Sequence, residues 1–207
     1  MKNIYRFLFG RFFWVQYSKQ LKYKGTWSKG RFHGKGTLKY ANGSTYTGEF
    51  FEGSKNGNGH YMSSEGYEYI GDWVCGKQTG KAQINYKNGD LYTGKVKEGL
   101  RHGHGELFQV SSSRNYKGQW TKNTLQAEME ITDPNWTFHG SMEVGSGSGS
   151  GTFNYKDGSK YSGQVVAFKR EGEGTLEFKT GEVISGIWIG SVNVKSASII
   201  DEHGFQW

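Results

Sequence analysis

The sequence predicts an all-β protein: an elongated single-layer antiparallel meander of about eight β-hairpin repeats, with a short N-terminal extension. Three observations support this prediction. Glycine and aromatic residues are frequent, one pattern recurs about every 23 residues, and glycine-containing turn pairs close most of its copies. The 207 residues include 33 glycines, 13 tyrosines, 13 phenylalanines and 7 tryptophans, but only 1 proline. This composition favours β-turns and stacked rings over helices.

The first half of each copy reads Tyr-x-Gly-x-aromatic. The pattern is complete in copies that begin at Tyr23, Tyr46, Tyr69 and Tyr116, and weaker in those that begin at Tyr92, Phe138, Tyr161 and Ile184. The glycine is present in every copy. Because the first, third and fifth residues of a strand point to the same face, the two rings share one face with bare backbone between them.

The second half of most copies holds a Gly-x-Gly pair, an apolar residue two positions later, and a closing turn pair. Asn42-Gly43, Asn88-Gly89 and Asp157-Gly158 are examples of such turn pairs. They favour the positive φ angles of tight hairpin turns. Each copy is therefore interpreted as one β-hairpin, and consecutive hairpins are expected to pair into a meander.

This pattern resembles the MORN (membrane occupation and recognition nexus) repeat family. The resemblance covers residues 23–207, with units that start at residues 23, 46, 69, 92, 116, 138, 161 and 184. It implies a curved, single-layer β-sheet with a groove lined by aromatic side chains. Family members are implied to serve in cytoskeletal, ciliary and membrane-junction assemblies.

Residues 1–22 form a basic, aromatic N-terminal extension or an edge cap of the array. Val15 lies 23 residues before Leu38, so residues 13–20 are interpreted as a degenerate half-repeat on the first edge. The start of the extension could instead anchor the chain to a membrane or a partner. Its arginines argue against a signal-peptide core.

The candidate binding site is the row of rings at the first and fifth positions of the units. A single-layer sheet cannot cover both faces of this row, and Trp and Tyr are enriched at binding hot spots. We therefore expect a groove for a helix or an extended segment of a protein partner. The same rings are also the nearest equivalent of a hydrophobic core. The predicted groove residues are Tyr23, Trp27, Tyr46, Phe50, Tyr69, Trp73, Tyr92, Tyr116, Trp120 and Tyr161.

Basic residues are concentrated at the N-terminal end. Residues 1–48 carry ten Lys or Arg and no acidic residue, whereas the whole chain has a net charge of +7. This asymmetry indicates an anionic partner or an anionic membrane surface at that end. The alternative function is therefore a membrane-associated adaptor. The predicted contacts with anionic lipid are Lys2, Arg6, Arg11, Lys19, Lys22 and Arg31.

A second basic feature is a row of cations at the loops that join the two halves of each unit. These loops are expected along one edge of the sheet, where the cations could meet anionic headgroups or serve solubility alone. The row consists of Arg31, Lys55, Lys77, Arg101, Lys122, Lys169 and Arg170.

The sequence holds no recognisable catalytic set, so we expect no enzyme activity, no cofactor and no metal. The histidines are scattered, and His102 with His104 lacks a third ligand at a suitable spacing. The Gly-x-Gly pairs precede strands instead of helices, so they do not form a phosphate-binding loop. No nucleic-acid partner is expected. Cys75 is the only cysteine, which precludes an intrachain disulfide.

These observations predict a non-catalytic scaffold or adaptor that binds a protein partner through the aromatic groove. The expected location is the cytoplasm, in a cytoskeletal or ciliary assembly or at the inner face of a membrane. No run of 18 apolar residues occurs, so no membrane-spanning helix is expected. The terminal strands could also pair with a second copy to form a homodimer.

Overall fold

A computed structural model describes residues 13–143 and 145–200, except for the side chains of residues 193–199. The chain divides into two compact units, Met1–Leu107 and Phe108–Trp207. All regular secondary structure in the described residues is β-strand. The prediction of an all-β antiparallel meander is therefore confirmed.

The first unit is a single antiparallel layer. Each strand from the first to the eighth pairs with the next strand along the chain. The short first strand lies where the sequence predicts a half-repeat. The strands are β1 Val15–Ser18, β2 Leu21–Ser28, β3 Arg31–Tyr40, β4 Thr45–Phe51, β5 Ser54–Met62, β6 Glu68–Val74, β7 Lys77–Asn85, β8 Leu91–Lys97 and β9 Leu100–Gln109.

The second unit has the same antiparallel arrangement, and its consecutive strands are also hydrogen-bonded neighbours. Each predicted repeat in it forms one hairpin, so the hairpins follow the period of the sequence. The strands are β10 Arg114–Thr121, β11 Thr124–Thr132, β12 Trp136–Met142, β13 Ser148–Tyr155, β14 Lys160–Val166, β15 Lys169–Glu177, β16 Val183–Ile189 and β17 Val192–Ile200.

The repeated glycines of the first unit lie opposite one another across the strands. Gly36 of β3 pairs with Gly48 of β4, which in turn pairs with Gly59 of β5. The tyrosine rings that begin the units lie on this bare backbone: a methyl group added to Gly59 would overlap the ring of Tyr46. The glycines are therefore required by the close approach of ring and backbone, not by an unusual φ angle.

The turns of the first unit are of two kinds. Turns inside a unit have two residues with positive φ, as in Glu52-Gly53 (φ 46° and 88°), which is the type I′ geometry of tight hairpins. The Asn-Gly turns between units differ from the prediction, because Gly43 has a φ of 89° while Asn42 stays outside the positive region. Asn42 contributes through its side chain instead. Its Oδ1 accepts a hydrogen bond from the Ser44 amide at 3.0 Å, as in an Asx turn.

Replacing Gly59 by alanine should destabilise the first unit by about 2 kcal/mol, because the new methyl group must displace the Tyr46 ring from a packed site. The matched control is Ala82→Gly at the equivalent position of the next unit, which should cost about 1 kcal/mol or less from added chain flexibility. Chemical denaturation measures both. A Gly59→Ala protein as stable as the natural one would show that ring and backbone are not in contact.

Candidate functional site

The rings at the starts of the first four units are fully buried. Tyr23, Tyr46, Tyr69 and Tyr92 are each 0% exposed. Their neighbours Trp27, Phe50 and Trp73 are at most 5% exposed. We call the side of the first unit that carries these seven rings the aromatic face. The sequence correctly places the rings on one face, but they cover one another.

The mutual cover comes from edge-to-face packing across strands. The ring of Tyr46 lies 5.1 Å from Phe50 on its own strand and 5.2 Å from Trp73 on the next hairpin, at interplanar angles of 83° and 81°. Such T-shaped pairs are favourable beyond the area they bury. The Trp73 ring of the third unit thus helps to bury Tyr46 of the second unit.

The buried tyrosine hydroxyls donate to carbonyl groups of the backbone. Tyr46 donates to the carbonyl of Glu49 at 3.0 Å, and Tyr92 donates to the carbonyl of Lys95 at 2.8 Å. The pairing of β4 with β5 shifts between Gly48 and Phe50, so the intervening carbonyl is not held in a regular ladder. Burial raises the pKa of Tyr92 to about 12. The buried tyrosines therefore form a core whose hydroxyl groups are hydrogen-bonded. We call this layer of buried rings the floor of the aromatic face.

A second row of tyrosines on this face is only half-buried, and its members are not among the predicted groove residues. Tyr40, Tyr61, Tyr67 and Tyr86 have consecutive centroid separations of 6.4, 6.3 and 6.1 Å. Burial raises the pKa of Tyr40 to about 12. Their position in the sequence could have identified two of these tyrosines, since Tyr40 and Tyr86 each lie two residues before an Asn-Gly pair. The rings of this row are accessible from solvent, whereas the tyrosines of the floor are fully buried.

Lys55 projects into the rings of the aromatic face. Its Nζ lies 4.5 Å from the ring centroid of Trp73, 4.9 Å from Tyr61 and 5.0 Å from Tyr46. Ring faces attract an ammonium group electrostatically. Within the described residues, no carboxylate forms an ion pair with this lysine, and burial lowers its pKa to about 8. Lys55 is therefore a partly desolvated cation to which the described part of the chain supplies no counter-ion.

The prediction that seven cations lie in loops along one edge of the sheet is wrong for three of them. Lys55 and Arg101 lie over rings of the first unit, and Arg170 lies 4.4 Å from the Trp188 centroid in the second unit. Strand parity counted back from the glycines could have revealed this, because Lys55 has the same parity as Gly59.

Two other members of that row do remain at the edge of the first unit. Arg31 and Lys77 are exposed, and they face Glu52 at 3.9 Å and Glu98 at 2.5 Å. Ion pairs this exposed contribute little to stability. Their charge is therefore partly offset at the surface.

One position of the repeat, nine residues after the start of a unit, decides what covers the floor. It is occupied by Phe32, Lys55, Gln78 and Arg101 in the first four units. Phe32 stacks on Tyr23 with a centroid separation of 4.1 Å, and Gln78 accepts a hydrogen bond from Tyr67 at 3.3 Å. Arg101 lies 6.0 Å from the centroids of both Tyr86 and Tyr92. The buried tyrosine of the floor is the same in the first four units, whereas the residue that covers it changes from unit to unit.

A cavity of about 370 Å³ opens on the aromatic face beside Lys55. Its walls are mainly apolar, with one guanidinium and one ammonium group at its margin. The residues that line it include Leu21, Arg31, Phe32, Leu38, Tyr40, Phe50 and Lys55.

The second unit contains a comparable cluster of rings. Trp120 is 4% exposed and Tyr161 is 0% exposed, while Tyr116 is half-buried. Tyr161 donates to the carbonyl of Gln164 at 2.8 Å, as the tyrosines of the first unit do to their own backbone. Of the three remaining groove residues of the prediction, Trp120 and Tyr161 are therefore buried, and Tyr116 packs against the buried cluster that contains Tyr161.

The opposite face of the first unit is largely polar. The Thr37 and Thr47 hydroxyls lie 3.1 Å apart. Hydrogen bonds from Asn85 and His60 hold the pKa of Glu68 below its usual range. Ile70 is 43% exposed on this face and provides a reference position opposite the rings.

The residues predicted to contact anionic lipid are not brought together in the described part of the chain. Lys19 and Arg31 are both exposed, but they lie beyond opposite ends of β2, while Lys22 is exposed within it. Lys2, Arg6 and Arg11 lie outside the described residues.

The described residues contain no cluster of three or more His, Cys, Asp or Glu side chains that could hold a metal ion. They also contain no helix long and apolar enough to cross a membrane.

Comparison with known proteins identifies the repeat. The MORN repeat model matches residues 23–45, 46–66, 69–91, 92–112 and 161–183, together more than half of the chain. A search of curated proteins finds no match.

Similar solved structures include the TCP domain of SAS-4 from Drosophila melanogaster in complex with a proline-rich motif of Ana2. That chain is 14% identical over 84% of this chain and 82% of its own, with a TM-score of 0.42. Another is the TCP10 domain of CPAP from Danio rerio, which is 10% identical over 94% of this chain and 97% of its own, with a TM-score of 0.37.

The stability contributed by Lys55 should depend on pH. Its pKa is lowered from 10.5 to about 8 on folding, so the unfolded chain binds more protons between these values. The free energy of unfolding should therefore rise with pH across this window. Relative to Lys55→Met, the natural protein should gain about 1 kcal/mol between pH 7 and pH 10, after allowance for partial exposure. Urea denaturation of both proteins tests this, and a difference that stays constant with pH would contradict it.

Proposed function

This chain belongs to the MORN repeat family, and we propose that it is a non-catalytic scaffold or adaptor that binds a protein partner on its aromatic face. Repeats of this family are generally non-enzymatic. The observation that carries the proposal is the half-buried second tyrosine row, which lies above a rigid floor of buried rings. Tyrosines held in this way present a large contact area at a low cost in conformational entropy.

The predicted groove residues take different parts in this proposal. Of the predicted groove residues, Tyr23, Tyr46, Tyr69 and Tyr92 support the contact surface from below. The residues that meet the partner are Tyr61, Tyr67 and Tyr86, which are not among those predicted. The floor fixes the rotamers of the rings above it, and a preorganised surface loses less freedom on binding. A helix or an extended segment laid across the strands would contact several units at once. We place this function in the cytoplasm, within a cytoskeletal or ciliary assembly, and we retain pairing of terminal strands between two copies as the route to a homodimer.

Site-specific photo-crosslinking tests which face binds. A benzoylphenylalanine placed at Tyr67 should crosslink the partner in cells, while the same group at Ile70 on the opposite face should not. The two positions lie on or beside β6, so the two probes sample opposite faces of the same part of the unit. Tyr67→Ser with Tyr86→Ser should weaken capture of the crosslinked protein at least tenfold, as expected for hot-spot tyrosines. Crosslinking from Ile70 alone would contradict the assignment of the face.

The alternative function is a membrane-associated adaptor that uses the basic N-terminal end. It is favoured by the ten cations and absence of acids in residues 1–48, and by the exposure of Lys19, Lys22 and Arg31. Each cation near an anionic surface contributes about 1 kcal/mol. The same interaction would be strongly screened at high ionic strength.

Vesicle sedimentation separates this alternative from the first proposal. Changing Lys19, Lys22 and Arg31 to Glu should weaken binding to phosphatidylserine vesicles at least tenfold at physiological salt. The matched control changes Lys81, Lys87 and Lys97 to Glu, which alters net charge equally but elsewhere in the first unit. Equal losses in both variants would indicate an unspecific effect of net charge and would count against the N-terminal site.

A further inference from the structure

The site that carries a further inference is the Lys55 ammonium group and the cavity beside it. Nζ lies within 5.4 Å of the centroids of Tyr40, Tyr46, Tyr61 and Trp73. Within the described residues, neither a carboxylate nor any other hydrogen-bond acceptor pairs with this ammonium. A cation kept partly out of water without an anion is unfavourable for folding. An anion supplied from outside would offset that cost.

The shape and polarity of the cavity restrict what the anion belongs to. The cavity of about 370 Å³ has Leu21, Phe32, Leu38 and Phe50 among its lining residues, so it accommodates one or two apolar side chains. Lys55 and Arg31 also line it, but the Arg31 guanidinium already faces the Glu52 carboxylate at 3.9 Å, which leaves Lys55 as the cation to be neutralised. A ligand that fills the cavity and neutralises the ammonium must therefore join an apolar group closely to a single negative charge.

We propose that the cavity beside Lys55 receives an acidic segment of the protein partner, which inserts an apolar side chain and places a neighbouring Asp or Glu carboxylate on the Lys55 ammonium. This inference rests on the proposed scaffold function and specifies the chemistry of its partner. One ammonium group amid rings matches one carboxylate. A lipid phosphate is matched less well, because phosphate recognition favours several cationic donors that converge.

Arg101 gives the proposed partner a direction along the first unit. It lies over Tyr86 and Tyr92, four strands beyond Lys55, or roughly 19 Å at 4.8 Å per strand. Between the two cations runs the half-buried row formed by Tyr61, Tyr67 and Tyr86. A segment that begins with its carboxylate at Lys55 can therefore cross this row and bring a second acidic residue to Arg101. In a helix, that distance corresponds to about 13 residues.

A displayed library of random 16-residue peptides, selected on the immobilised full chain, tests the proposal. The natural protein should enrich peptides with Asp or Glu next to Phe, Leu or Ile. Lys55→Met, which keeps length and apolar packing, should lose the acidic preference, and Lys55→Gln provides a second variant without the charge. The matched control Lys24→Met removes an exposed lysine on the opposite face and should retain the preference. Thermal unfolding confirms that all variants are folded.

A double-mutant cycle on the best selected peptide makes the test quantitative. Replacing its acidic residue by the amide should weaken binding to the natural protein at least tenfold and should change binding to Lys55→Met less than twofold. Enrichment of apolar peptides without acidic residues would overturn this inference and leave the scaffold function standing. Loss of phosphatidylserine vesicle binding in Lys55→Met, with unchanged peptide binding, would also overturn it in favour of a lipid. Peptides that bind only the opposite face would overturn both.

Discussion

The close contact between a tyrosine ring and glycine backbone is the interaction on which the rest of the structure depends. A single-layer sheet has no second layer to pack against, so its apolar groups must be enclosed within one layer. Because Gly59 has no side chain, the ring of Tyr46 can lie on the backbone, and rings from the next hairpin can close over it. The burial of the tyrosine follows from this contact, and its hydroxyl is then satisfied by a backbone carbonyl beside the shift in strand register.

The fold was largely predictable from the sequence, because period two and regular glycine spacing determine both hairpin register and the face of each ring. Parity correctly placed Tyr69 and Trp73 together. It could not predict their burial, since this depends on rings from neighbouring hairpins and on bulges that bring them within about 5 Å. The turn chemistry was predicted only in part, because Asn42 acts through its side chain and not through a positive φ.

The difference between the buried rings of the floor and the residues that cover them explains why the candidate site was only partly predictable. The rings that recur most regularly in the motif are the ones most easily identified from the sequence, and these rings are buried as the core. The surface that remains available consists of less regular residues, such as Tyr67 and Lys55, whose positions follow from the hairpin geometry but whose identities vary between units. Regularity in this chain therefore indicates residues of the core, whereas the accessible residues of the aromatic face depart from it.

The variable tenth position, nine residues after the start of a unit, has a consequence for how such arrays acquire new partners. Phe32, Lys55, Gln78 and Arg101 occupy it in successive units, above tyrosines that are enclosed in the same way. A replacement there alters the charge or shape presented by one unit and leaves the ring-on-glycine contact below it unchanged. Selectivity can thus diverge by single replacements, one unit at a time, while the architecture that displays it is inherited intact.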